Sequence, residues 1–233
     1  MTPQTDRSHY DQSYYERRRL YSVAVQAEVL WSLRPASVIE IGPGRGVFAA
    51  MFRQLSGAPV VTIDIDPTLR PEVIGSVFAM PFADGAFDAA ACFQMLEHLP
   101  FDRFAQALTE MRRVARIGLA LSLPDCSLAL TLRMGVRNPR KDGLVAAWTI
   151  QPSGWALRKL KKVPNSAGHY WEIGRTGTPL SVVRRAIEQS GWRIEQEFRT
   201  AENAYHRFFV LRKENWTTEC TDNTEDKRTI CHP

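Results

Sequence analysis

The chain has no CxxC pair, no apolar run approaching the length of a membrane span, and no apolar stretch near its start. The first absence removes the usual signature of a structural zinc site or a redox dithiol, so Cys92, Cys126, Cys220 and Cys231 read as free thiols in a reducing compartment. The second excludes a helical membrane protein, and the third argues against a secretory leader, so a cytoplasmic location is expected. Without secretion the sequon Asn215-Trp216-Thr217 carries no meaning. There is also little excess of one charge: 30 Lys and Arg against 25 Asp and Glu give +5 over 233 residues, which makes no case for a nucleic-acid partner, and no DNA is expected. What is present is ordinary for a globular domain, 44% hydrophobic and 24% charged, enough for one sizeable core and a small appended lid.

Along the chain, residues 12–33 place Leu20, Val23, Val25, Val29 and Leu30 at roughly helical intervals, and Arg34-Pro35 ends the run. Residues 1–36 are therefore expected to be a helical cap. Short apolar strands follow at 37–41, 59–65, 73–74, 87–93 and 118–123, with helical composition at 47–55 and 101–114. Strands alternating with helices call for a parallel sheet covered on both faces, an α/β Rossmann-like, doubly wound architecture. Thr178 and Pro179 open a further helix, with Thr178 expected as its cap, and Gly191 stops it. Residues 192–198 and 205–212 then read as an antiparallel hairpin closing the mostly parallel sheet.

The catalytic domain is placed at 37–212 and a mobile tail of low apolar content at 213–233. Within that domain the insertion 124–177, rich in Pro, Gly, Trp and basic side chains, has no dominant period. A segment of that length inside a compact domain is expected to be functional, here as an acceptor lid.

The strand around Val38 runs straight into Gly42-Pro43-Gly44-Arg45-Gly46 and then a helix, an arrangement that lets a ligand approach backbone N–H groups. The spacing is G-x-G-x-G. A dinucleotide fingerprint would need glycine at position 47, where Val47 stands, and this disfavours an NAD-dependent oxidoreductase. About twenty residues on, Asp64 ends the second strand where a doubly wound sheet brings a carboxylate to a ribose. Asp66-Pro67 fits a turn or cap better.

Taken together, VIEIGPGRG, VVTIDID, SVFAMPFADGAFDAAACF and QMLEHL resemble the class I S-adenosylmethionine-dependent methyltransferases of the small-molecule type, and the resemblance covers roughly Val38 to Leu123. The resemblance implies S-adenosylmethionine as cofactor, with Glu40, Gly42, Gly44 and Gly46 around its methionyl part. Asp64 and Ile65 would lie at the ribose, and Gln94 near the sulfur. The family's adenine-contacting segment, Gly-Asp-Ala-x-x-Leu-Pro-Phe, is here Gly75-Ser76-Val77-Phe78-Ala79-Met80-Pro81-Phe82. Ser76 stands where the aspartate would be, and it can still accept a hydrogen bond beside Val77 and Phe78.

Such chemistry needs no enzyme nucleophile, because the sulfonium already activates the methyl group for in-line displacement. A hydroxyl or ammonium acceptor needs a base, for which His98 and His169 are the candidates. His169 sits in Gly168-His169-Tyr170-Trp171-Glu172-Ile173-Gly174, so Tyr170, Trp171 and Glu172 are expected at the acceptor. Packing of the insertion onto the domain is the alternative. Arg133, Arg137 and Arg140 could meet an anionic acceptor, Tyr10, Tyr14 and Tyr15 could close over the cofactor, and 158–162 is a basic run with the look of a solvated face. Glu97, His98 and His169 could be imagined as metal ligands, but no HxxxH or CxxC pair supports it and one adjacent Glu-His pair is poor ligand geometry, so no metal is expected.

The acceptor is expected to be a small molecule, or a glycan-like or lipid-like one, and oligomeric state stays open. RNA or protein methylation, or a non-catalytic cofactor-binding subunit, are the competing readings. Neither an Asn/Asp-Pro-Pro-aromatic run nor a Pro-Cys pair follows the fourth strand, where Phe93-Gln94-Met95-Leu96 stands, and this counts against base methylation of DNA.

Overall fold

The computed structural model describes residues 17–132, 148–150 and 168–213. Tyr10, Tyr14, Tyr15, Arg133, Arg137, Arg140, the 158–162 run, Asn215, Cys220, Cys231 and the expected tail lie outside the described residues.

Helix α1 (Arg17–Trp31) leads into β1 (Val38–Ile41), α2 (Val47–Ser56), β2 (Val60–Asp64), β3 (Val73–Ile74), β4 (Phe87–Phe93), α3 (Phe104–Val114) and β5 (Ala115–Pro124). A small pair, β6 (Leu130–Leu132) and β7 (Trp148–Ile150), precedes α4 (Leu180–Gln189), β8 (Trp192–Arg199) and β9 (His206–Lys213). The main sheet has seven strands in the order β3-β2-β1-β4-β5-β9-β8. The first five are mutually parallel. β9 runs antiparallel to β5 and to β8, the expected closing hairpin. It is an α/β, Rossmann-like doubly wound sheet.

Period-two alternation assigns each face to its own core. Ile39, Ile41, Ala90, Cys92 and Leu119 point into the layer with α3 and α4, where Phe104, Leu108, Met111, Ile187 and Trp192 are buried. Val38, Ala89, Ala91 and Ala120 point the other way, against Val25, Leu30, Phe48 and Phe52 of α1 and α2. Both faces are apolar because both are covered, so β4 reads as an unbroken apolar run save Asp88, with no polar face. Asp88 is the exception that has partners, accepting from Ala36 N at 2.8 Å and from Arg116 Nε at 2.9 Å.

Two local expectations are corrected. Thr178 does not cap α4: its hydroxyl donates to the Glu172 carbonyl at 2.7 Å, and Pro179, in extended conformation, is the N-cap. β5 begins three residues earlier than expected, because Ala115 turns extended directly at the end of α3. The segment after Pro124 has structure of its own, since β6 and β7 pair within it. Its end, from Gly168, returns to the sheet: Cys126 N donates to Ile173 O at 3.0 Å, and Ile173 N to Pro124 O at 2.9 Å.

Candidate active site

The carboxyl ends of β1, β2 and β4 open into a cavity of about 610 Å³, a size usual for a small-molecule site. At its floor the chain leaves β1 through three residues in left-handed conformation, Gly42 (φ 70°), Gly44 (φ 55°) and Gly46 (φ 73°). Gly42 is constrained twice, since a Cβ there would also lie 2.4 Å from Met95 Cγ. Gly42 and Gly44 line the cavity. Gly46 does not; it is the N-cap of α2, and only its φ requires glycine.

Two carboxylates from neighbouring strands face this space. Glu40 is 3% exposed, and its Oε2 has no hydrogen-bond partner among the described residues. Burial pushes its carboxyl up to about 8, against the opposing pull of Arg53. Asp64, at the end of β2, is only partly buried and also raised by burial; its Oδ1 accepts from Asp66 N at 2.9 Å. Asp66 has the separate task its sequence suggests, capping the short turn Pro67–Leu69 through Thr68 N at 2.8 Å.

The third wall is Ser76, Val77 and Phe78. Ser76 Oγ accepts from Phe78 N at 3.3 Å, and α3 pins the loop beyond it: Glu110 accepts from Met80 N, while Arg113 donates to the carbonyls of Met80 and Phe82. Gln94 lines the cavity with φ 53°, a strained value for a side-chain-bearing residue, held by Gln94 N to Ser122 O at 3.0 Å and Gln94 Nε2 to Ser122 Oγ at 3.2 Å. Ile65 completes this part of the wall.

Sequence reasoning missed four contributors. Arg19, Ser22 and Gln26 of α1 and His206 at the start of β9 also line the cavity. The polar positions Ser22 and Gln26, buried in an otherwise apolar stripe of α1, were a usable signal; His206 had none, because only the fold brings β9 beside β5. Burial drives the His206 imidazole down to about 3, so it is neutral.

At the other end stands a cluster from two distant segments. His98 lines the cavity, with Nδ1 3.0 Å from Gly168 O, and its ring meets that of His169 edge-on at 4.9 Å between centroids. His169 Nδ1 lies 3.0 Å from Glu172 Oε1, and that carboxylate also accepts from the Tyr205 hydroxyl at 2.8 Å and from Arg175 Nε at 2.9 Å. Facing acceptor oxygens, both Nδ1 atoms act as donors, which leaves the lone pair of each neutral ring on Nε2. His169 is kept neutral by burial, which outweighs the upward pull of Glu172. Glu97 completes the group, fully buried, with neither carboxylate oxygen hydrogen-bonded among the described residues.

The expected acceptor wall divides. Tyr170 lines the cavity and is 56% exposed. Trp171 is 3% exposed and turned away: its ring meets Phe101 and Phe104 edge-on, and Nε1 donates to Leu99 O at 3.0 Å. It is an anchor, because an indole buried with its N–H satisfied is worth more in the core than on a cavity wall. Glu172 and His169 are likewise absent from the cavity lining; Glu172 is committed to holding His169, Arg175 and Tyr205.

Residues 39–122 match the family model described as a methyltransferase domain. No curated protein matches the chain in sequence. Among solved structures the chain is similar to the 1,6-didemethyltoxoflavin-N1-methyltransferase of Burkholderia thailandensis, with bound 1,6-didemethyltoxoflavin and S-adenosylhomocysteine. Identity there is 16%, over 89% of this chain and 86% of that one, with a TM-score of 0.57. It is also similar to magnesium protoporphyrin IX methyltransferase from Synechocystis with bound S-adenosylhomocysteine, at 15% identity over 91% and 90% and a TM-score of 0.58. A third likeness is to the N-methyltransferase NodS from Bradyrhizobium japonicum, 12% identical over 86% and 89%, TM-score 0.53. At such identities these likenesses establish the fold.

Proposed function

We propose that this chain, which carries a class I S-adenosylmethionine-dependent methyltransferase domain, moves the methyl group of that cofactor onto a small-molecule acceptor held beside His98 and Tyr170. The observation that carries the reading is one cavity lined both by Glu40, Gly42, Gly44, Asp64, Ser76 and Gln94 and by His98 and Tyr170.

The residues fit the cofactor. S-adenosylmethionine supplies a methyl group activated by its sulfonium. Asp64, with Ile65 beside it, accepts from the ribose hydroxyls, and Ser76, Val77 and Phe78 border the adenine. Glu40 Oε2, without a hydrogen-bond partner among the described residues, would take the methionyl ammonium, which supplies the missing partner for a buried acid. Gln94 lines the same cavity and would border the sulfur. At the acceptor end His98 presents the lone-pair nitrogen of a ring whose Nδ1 is already engaged by Gly168 O. His169 and Glu172 act behind it, fixing its surroundings and not touching the acceptor.

The acceptor class rests on the cavity's size, about 610 Å³, and on structural neighbours named for small-molecule acceptors, 1,6-didemethyltoxoflavin and magnesium protoporphyrin IX. The test is incubation of the purified protein with methyl-labelled S-adenosylmethionine and fractions of a cell extract. Label is expected in the low-molecular-weight fraction; label confined to RNA or protein would overturn the acceptor class. Calorimetry showing binding of NAD and none of S-adenosylmethionine would overturn the cofactor assignment.

A further inference from the structure

We propose that Glu97, His98 and His169 form a binding site for a divalent first-row transition-metal ion at the acceptor end of the cavity. One ligand atom from each of the three lies within 4.8 Å of the others, and His169 Nε2 stands 4.0 Å from Glu97 Oε1. Ligands each about 2.1 Å from one ion are about 3–4 Å apart, so small side-chain rotations bring these atoms into range.

Three independent features fit an ion and not a chance cluster. Glu97 is fully buried, yet neither of its carboxylate oxygens has a hydrogen-bond partner among the described residues; buried polar atoms are normally satisfied, and two orphaned oxygens on one acid call for a positive partner. Each imidazole has its Nδ1 next to an oxygen, Gly168 O for His98 and Glu172 Oε1 for His169. That is the outer-shell arrangement of metal-bound histidines, in which the second nitrogen donates to a carbonyl or carboxylate and turns the lone pair of the first toward the metal. Glu172 is itself held by Tyr205 and Arg175, so the support extends one layer further out.

Two imidazoles and one carboxylate leave coordination positions open, as in sites that take a ligand from solution. His98 alone of the three borders the cavity, so the open side faces the acceptor, and the group an ion would take there is an acceptor oxygen; with the ion bound, His98 Nε2 is a ligand and not the base, and the ion's pull on that oxygen takes over the release of its proton. The mixed nitrogen and oxygen set suits Zn²⁺, Co²⁺ or Mn²⁺ over Ca²⁺ or Mg²⁺. The expectation of no metal rested on the lack of an HxxxH or CxxC pair and on the adjacency of Glu97 and His98; the fold instead brings His169 to them from the far end of the insertion, which the Tyr170 N to Glu97 O hydrogen bond of 2.8 Å ties to this spot. Only the ion's action on the acceptor rests on the methyltransferase reading; its binding does not.

The experiment is titration of the full chain with Co²⁺, followed by visible absorption and calorimetry, without donor or acceptor. Wild type is expected to take up the ion and develop ligand-field bands. His169→Ala and Glu97→Gln are expected to lower affinity at least a hundredfold, and Glu172→Gln, which touches only the outer shell, by about 10–100-fold. Circular dichroism and S-adenosylhomocysteine binding report whether each variant is folded, and His169→Gln replaces any that is not. Equal Co²⁺ affinity in wild type and these variants, or no uptake by wild type, overturns the site. The two proposals separate cleanly: protein that binds Co²⁺ but not S-adenosylhomocysteine keeps the site and loses the cofactor reading, and the reverse result loses the site alone.

Discussion

Glu40 and Asp64 end neighbouring strands, yet their carboxylates meet different surroundings, and their expected roles diverge accordingly. Asp64 is partly open and already accepts one backbone N–H, so its remaining capacity suits neutral hydroxyls. Asp64→Ala is expected to weaken S-adenosylhomocysteine binding more than tenfold, since hydrogen bonds to a charged acceptor are worth about 1.5–3 kcal/mol each. Wild-type affinity in a folded variant would remove Asp64 from the site.

Glu40 is raised to about 8 by burial, and Arg53, Glu72 and Cys92 are the other titratable groups coupled to it. A donor ammonium favours the charged form, so binding expels a proton at neutral pH. Affinity is therefore expected to climb with pH, by at most about tenfold per unit, and to level off near 8. For the donor-free protein the sign reverses. A folded value above the unfolded one stabilises fully below about 4.5, and that contribution fades as pH rises toward about 8. Glu40→Gln should then gain melting temperature relative to wild type between pH 5 and 8, about the window set by those two values. A gap that stays constant with pH would show Glu40 ionised throughout.

These two acids were legible because each terminates a strand inside a local motif. His206 was not, since its place on the cavity depends on β9 lying beside β5, a pairing between residues more than eighty positions apart.

Elements whose period is set by local burial were read nearly to their ends, as β4 shows: the same bounds, Phe87–Phe93, follow from its apolar run and from its pairing. The segment after β5 was the opposite case. Its composition gave aromatic and ionic residues without saying which would face inward, and tertiary packing decided. Trp171 went into the layer between Phe101 and Phe104, so its truncation belongs to stability first. Trp171→Ala is expected to cost about 3–5 kcal/mol, while Trp171→Phe, which keeps a ring but loses the bond to Leu99 O, should cost about 1–3 kcal/mol. Chemical denaturation distinguishes the two; a fully stable alanine variant would contradict the anchor.

At the end of β5, Asp125 is buried against Arg207 Nε at 2.7 Å and Arg199 Nη1 at 3.5 Å. Its removal takes one partner from each guanidinium, Arg207 keeping Glu197 and Arg199 keeping the carbonyls of Ala204 and Ser127, so Asp125→Ala should cost about 1–3 kcal/mol and loosen the junction of β5 with β9. If urea midpoints of wild type and variant coincide, the pair is not coupled to folding.

Across the whole molecule the cavity joins pieces that are far apart in sequence: Ser22 and Gln26 from α1, the glycine turn after β1, Asp64 from β2, Gln94 beyond β4 and His206 from β9. Helix α1 also buries Val25, Val29 and Leu30 in the core against α2, so the wall it supplies is continuous with the structural layer behind it. A ligand that contacts all these pieces in the folded state and none in the unfolded chain must stabilise the fold as a unit. At a concentration about a hundred times its dissociation constant the gain is about 2.7 kcal/mol. For a chain of this size about 2–4 °C of melting temperature follows each kcal/mol. S-adenosylhomocysteine at that level should therefore raise the melting temperature by about 5–11 °C, with NAD at the same concentration leaving it unchanged. The distribution of the gain is the sharper test. Because α1 is both wall and core, its amides should gain hydrogen-exchange protection together with those of the 42–46 turn. Protection gained at the turn alone would mean that α1 covers the cavity without touching the donor, and would assign Arg19, Ser22 and Gln26 to the acceptor's side instead.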